Sequence, residues 1–220
     1  MATFLLFFFG FIAILQMQQI KGVQLKAKAY VFKADLSGVM GTVDFVQDTS
    51  SPLVTITGTL NDVTPANQKH GFHIHELGDL GDSCKASLGH FNPENKTHGA
   101  PNDTERHVGD LGNVHSDAGG RVVVNMQDSV IQLYGRHSII GRALVIHEGI
   151  DDLGRGGDPE SKKTGNAGAR IGCGVVGIES PGFAATNGAS SILTGGIRQG
   201  GYLLTLFMGV LLSCLLVLQL

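Results

Sequence analysis

Glycine constrains this chain more than any other feature: 32 of its 220 residues are Gly, about twice the usual share of roughly 7%. At that density long helices are interrupted, and positive-φ turns are available everywhere. The segments between the glycines alternate apolar and polar residues with a period of two. In residues 24–32, Leu25, Ala27, Ala29 and Val31 fall on one face, as a half-buried strand requires. Segments 40–46, 53–60, 71–76, 108–114, 121–126, 139–147 and 171–178 also read as strands. Eight short strands with little helical periodicity between them predict an all-β closed barrel or two-sheet sandwich. Connections 77–106 and 148–170 are too long for plain turns. Structureless loops of that length inside a compact domain are usually functional.

The two ends differ from this body. Residues 1–22 hold an apolar run at 4–15 with no acidic residue, the length of a secretory leader's core and too short to span a bilayer. After Ile178 the chain turns to Gly, Ser, Ala and Thr over 180–201, a spacer composition. Residues 202–220 then carry no charge. Small residues Asn187-Gly188-Ala189, a polar spacer and an uncharged tail ending at Leu220 match the arrangement that directs lipid (GPI) attachment, here at Asn187. A single-pass helix is the competing reading. The body is therefore expected at 23–179, large enough for one domain. Sequons at Asn95 and Asn102 fit a secretory route and glycosylation. The net charge of −3 gives no sign of a nucleic-acid partner.

Chemistry is concentrated in histidine. His73 and His75 stand at i and i+2 on a strand, so both rings project from one face, while Ile74 turns toward the interior. His90, His98 and His107 follow in or beside the first loop, with Asp110 three residues after the last. His147 ends a later strand. Imidazole suits zinc and copper, and a carboxylate can complete a zinc set. Two four-coordinate ions need eight ligands, and these seven side chains supply eight only if one imidazole serves both.

The segments Gly71-Phe72-His73-Ile74-His75-Glu76, His90-Phe91-Asn92-Pro93, His107-Val108-Gly109-Asp110-Leu111-Gly112-Asn113, Val145-Ile146-His147-Glu148, Asp151-Asp152-Leu153-Gly154 and Gly165-Asn166-Ala167-Gly168-Ala169-Arg170 resemble the copper/zinc superoxide dismutases. The likeness spans roughly residues 24–178. It implies an eight-stranded antiparallel Greek-key barrel and an enzyme that converts two superoxide anions to oxygen and hydrogen peroxide. It assigns copper to His73, His75, His90 and His147, and zinc to His90, His98, His107 and Asp110. Asp151 is then the carboxylate behind one ring of each set, Cys84 and Cys173 the disulfide, and Arg170 the anion binder, with Lys162, Lys163 and Arg155 adding local positive field. His90 is the shared ligand and a proton carrier. The family also implies a homodimer through Gly174-Val175-Val176-Gly177-Ile178 and Ile139-Ile140-Gly141. Pro159 and Gly149 depart from positions often charged in the family. His70 reads as structural, and His115 and His137 as surface residues. The alternative is a non-catalytic, metal-binding cell-surface adhesion or scaffold domain of the same fold, which loss of a copper ligand or of Arg170 would favour; both are present.

Overall fold

The computed structural model describes residues 22–179; the expected leader, the spacer, Asn187 and the hydrophobic tail lie outside them, apart from residue 22 at the leader's end. Eight strands form: β1 (Gln24–Lys33), β2 (Val39–Asp48), β3 (Val54–Leu60), β4 (Lys69–Ile74), β5 (Asp110–His115), β6 (Val122–Asp128), β7 (Ala143–His147) and β8 (Arg170–Ile178). They pair antiparallel in the order β5-β4-β7-β8-β1-β2-β3-β6. A lone bridge between Ser116 and Val122 joins the two ends of that order, so the sheet is a nearly closed barrel. With that join β4, β5 and β6 run side by side and β7 returns to lie against β4, which is a Greek key.

The period-two pattern fills the interior. Ala27, Ala29 and Val31 of β1, Val43 and Phe45 of β2, and Val54, Ile56 and Leu60 of β3 are buried in one core. A fully buried Phe, Leu or Ile side chain contributes about 1.5–3 kcal/mol. Strands β4 and β7 depart from simple alternation. Every residue of β7 is buried, as are five of the six in β4. Phe72, Ile74, Leu144 and Ile146 point into the core, while Val145 packs outside it with Cys84, Ala143 and Cys173. The outer face of these two strands is roofed by the two long connections, and His73, His75 and His147 stand beneath that roof.

The strand expected over 139–147 begins only at Ala143. Ile139 to Arg142 instead makes a turn, with Arg142 N–H donating to Ile139 O and Gly141 at φ +78°, a conformation closed to an extended strand. The other seven strands form within one or two residues of their expected ends. The second connection contains one turn of helix, α1 (Ser161–Thr164).

Candidate metal centre

Four histidines of the cluster have one ring nitrogen committed to a fixed acceptor and the other turned inward. His75 Nδ1 donates to Leu88 O at 2.8 Å and His147 Nδ1 to Gly168 O at 3.1 Å. Their Nε2 atoms therefore carry lone pairs, and they face each other at 3.3 Å. His73 Nε2 bonds Asp151 Oδ2 at 2.9 Å and His98 Nε2 bonds Asp151 Oδ1 at 2.7 Å. That leaves Nδ1 of His73 and Nδ1 of His98 buried without a hydrogen-bond partner; the latter lies 3.0 Å from Asp110 Oδ1, outside hydrogen-bonding geometry. Buried polar atoms without partners are rare and signal an absent ligand. One carboxylate thus orients one ring of each set, as outer-shell partners of metal ligands do.

The bare atoms fall into two groups, His73, His75, His90 and His147, and His90, His98, His107 and Asp110, each with its ligand atoms within 4.8 Å of one another. In the second group Asp110 Oδ1 lies 2.8 Å from His90 Nδ1 and 3.1 Å from His107 Nδ1. The two Nδ1 atoms are 3.4 Å apart, close to the edge of about 3.3 Å that a tetrahedron with 2.0–2.1 Å bonds requires. His90 belongs to both groups, with Nδ1 on the Asp110 side and Nε2 left for the other. A third trio, His73, His98 and Asp151, is accounted for by the two hydrogen bonds already given. The donor sets fit a copper ion in an all-imidazole site and a zinc ion in a closed three-histidine, one-carboxylate site.

The chain builds these positions from both loops. His90 bridges back to His75 across the strand end. His98 N–H donates to Lys162 O at 2.9 Å, so α1 holds the first loop in place. Gly165 sits at φ +65°, where a Cβ would come within 1.9 Å of Asp151 Oδ1 and 2.5 Å of His98 Nε2; glycine there makes room for the His98–Asp151 bond. Asn113 clamps the Asp151 backbone from both sides, accepting from its N–H and donating to its carbonyl, each at 2.9 Å.

Electrostatics separate the two groups. Burial first, and neighbouring imidazoles second, push His73 and His75 well below the usual histidine range. Burial and the charges of His90 and Arg170 bring His147 down to about 4, against a hydrogen bond to Gly168. These rings are neutral at pH 7 and offer lone pairs. At His98 burial also pulls down, but the neighbouring carboxylates of Asp110 and Asp151 outweigh it and raise the ring to about 9. Asp110 is pushed up by burial, yet His107, His90 and His98 together hold it below the usual carboxylate range.

A cavity of about 320 Å³ reaches the first group only, lined by His75, His90, His147, Lys163, Thr164 and Arg170 among others. Lys163 stands at its rim in an exposed pair with Glu160 at 3.1 Å. Arg155 does not line it and pairs instead with Asp103 at 3.2 Å; Lys162 does not line it either. Cys84 and Cys173 are buried and disulfide-bonded, fixing the first loop to β8 three residues beyond Arg170. His70 is fully buried between His147 O and Ser116 Oγ. His115 is exposed, while His137 is only partly so and bridges Val130 O and Glu94. Asn95 and Asn102 are exposed on the first loop.

Sequence reading does not reach the ion pair of Arg106 and Asp128. It is buried at 2.6 Å, and the same guanidinium donates to His107 O and Val108 O. Its members lie 22 residues apart with no motif around Asp128; the only local hint is that Arg106 directly precedes His107 of the second group.

A copper/zinc superoxide dismutase family model matches residues 39–176. The chain is 51% identical over 153 residues to a copper/zinc superoxide dismutase of Cryptococcus neoformans var. grubii, covering 70% of this chain and 99% of the relative. It is 51% identical over 158 residues to an extracellular superoxide dismutase of Haemonchus contortus, covering 70% of this chain and 84% of that one. It is 46% identical over 170 residues to the extracellular enzyme of Caenorhabditis elegans, covering 76% and 75%. With buried atoms poised for two ions, a shared histidine and these matches in agreement, the chain belongs to the copper/zinc superoxide dismutase family.

Proposed function

We infer that this chain disproportionates superoxide at a copper ion held by His73, His75, His90 and His147, beside a zinc ion held by His90, His98, His107 and Asp110. The observation that carries this reading is the pair of ligand groups joined at His90, of which only the all-histidine group opens to the cavity that Arg170 lines. When bound, copper supplies one-electron exchange, oxidising one superoxide to oxygen and reducing the next with two protons to hydrogen peroxide, whereas zinc has no redox change and supplies fixed charge. Arg170 receives the anion, because its guanidinium stays charged and offers fixed donors. When it is not holding copper, His90 would carry a proton at Nε2 and give it to the reduced oxygen species while its Nδ1 stays in the zinc group; the second proton comes from solvent. Asp151 keeps the rings of His73 and His98 turned so that their Nδ1 atoms face the ions. Lys163 adds positive field at the rim, which raises the on-rate of an anion. The test is superoxide decay with the purified protein. Activity must vanish when copper is removed and return when it is restored; full activity without copper contradicts the reading.

The extracellular relatives and the disulfide, which belongs to oxidising compartments, support secretion after removal of residues 1–22. The body is then 23–179, with glycans at Asn95 and Asn102. The composition of 180–201 and 202–220 supports a lipid anchor at Asn187 that holds the enzyme on the outer face of the plasma membrane. Release of activity from intact cells by a phosphatidylinositol-specific phospholipase tests the anchor; activity that stays bound, on protein retaining 202–220, replaces it with a transmembrane helix. A homodimer is supported by Leu77, Val175 and Ile178, apolar side chains that this chain leaves exposed. Sedimentation of the soluble body at micromolar concentration as a monomer excludes it.

A further inference from the structure

Arg170 is not free to choose its direction. Its Nη1 donates to Cys84 O at 2.5 Å and to Ser87 Oγ at 3.0 Å, and its Nη2 donates to Leu88 O. A guanidinium has five N–H groups; these bonds spend three, which leaves two for an anion. Ser87 is fully buried. Its hydroxyl has a single hydrogen, and that hydrogen is committed to Cys84 O at 2.8 Å. The oxygen can therefore meet Arg170 only as an acceptor. The bond to Cys84 O also fixes the hydroxyl's rotamer, so the lone pair presented to Nη1 is preset.

We propose that Ser87 is a positioning residue for the reaction: its hydroxyl, locked on the disulfide-bonded loop, holds the Arg170 guanidinium so that its two unspent N–H groups face the channel. The proposal rests on the reading of Arg170 as the anion binder. Without the hydroxyl, Cys84 O still holds one Nη1 hydrogen. The second is left unpaired beside a buried pocket, and the guanidinium can turn to satisfy it.

The test uses the full-length metal-loaded enzyme with Ser87→Ala, with Ser87→Thr as the variant that keeps the oxygen. Two quantities are read: the rate at which phenylglyoxal labels Arg170, followed by peptide mass spectrometry, and the rate constant for superoxide at low salt. In Ser87→Ala labelling accelerates and the rate constant falls, each by about two- to tenfold, the span expected for one net hydrogen bond. Copper, zinc and the disulfide stay at wild-type levels, and Ser87→Thr moves both quantities back toward wild type. Labelling of Arg170 at the wild-type rate in Ser87→Ala overturns the proposal. Should Ser87→Thr fail to fold, Ser87→Ala alone decides, because labelling is read on the arginine itself. Arg170→Glu in parallel separates the two claims: full activity there defeats the reading of Arg170, whatever Ser87 does.

Discussion

The proposed copper half and the proposed zinc half share His90 but stand on different foundations. Three of the four copper-side histidines come from strand ends, His73 and His75 from β4 and its end and His147 from the end of β7, over an apolar core packed from below. The zinc side comes from the first loop, and only Asp110 lies on a strand. The copper side has no carboxylate and its rings are held neutral by burial; the zinc side is built around Asp110, with Asp151 behind His98. A cavity reaches one half and not the other. The lesson is a division of labour. The half that opens to the cavity is carried by the barrel, and the half set in the loop relies on charge. The contrast can be broken at several points, and the effects differ in size.

The largest effect is expected where the loop is tied to the barrel. Cys84 and Cys173 are 89 residues apart, and closing such a loop stabilises by about 4–5 kcal/mol in the chain-entropy model. Cys84→Ser should lower the melting temperature by about 10–15 °C and weaken zinc before copper. Calorimetry with metal analysis checks both, and an unchanged melting temperature would show that the zinc-side loop needs no tether.

Asp151 stands behind one ring of each half. In Asp151→Asn the amide nitrogen cannot accept a ring N–H, so one of the two histidine bonds is lost. Metal affinity should fall by about 10–100-fold, on both sides if the ring orientations are coupled. Competition titration with a chelator reads each ion separately; loss confined to one ion would mean that the halves are set independently.

Arg170→Glu acts on the copper side alone. Both ions should stay bound while the superoxide rate at low salt falls by about tenfold or more, the scale of electrostatic steering. Salt should slow the wild type and slow the variant less, since charges are screened over about 8 Å at physiological ionic strength. Equal rates in the two proteins at low salt would remove Arg170 from the mechanism.

Much of this architecture is legible in the sequence. Period-two alternation shows seven strands nearly whole, and the His-x-His spacing shows that His73 and His75 share a face. What stays hidden depends on contacts between distant segments. β4 and β7 are buried on both faces because the loops cover them, which alternation in β7 alone does not reveal. Gly141 breaks the expected 139–147 strand by taking positive φ. The grip of Ser87 on Arg170 and the ion pair behind His107 join residues 83 and 22 apart, with no local pattern to mark them. Arg155, a plausible channel charge by position, is spent on Asp103.

The smallest effect, and the one that sharpens the contrast, is the pH dependence of the metal-free protein. His147 is depressed to about 4 in the folded state. Its contribution to stability is therefore complete above its unfolded value near 6.5 and is lost as pH falls toward 4. His98 is raised to about 9, so its contribution is complete below about 6.5 and is lost as pH rises toward 9. Urea denaturation across this range should show opposite slopes on the two sides of pH 6.5. A curve still rising toward pH 9 would mean that His98 does not hold a proton between its two carboxylates. By the same linkage zinc displaces that proton, so zinc affinity should increase with pH up to about 9.

The central claim is that two ions occupy two sites of different make that meet at His90. Its most direct test is the metal content of purified His147→Ala beside the wild type, because His147 belongs to the copper group alone. Wild type should hold one copper and one zinc per chain, and the variant should show zinc near one, copper near zero and no superoxide decay above background. A variant that keeps its copper and its activity, or loses both ions together, contradicts it.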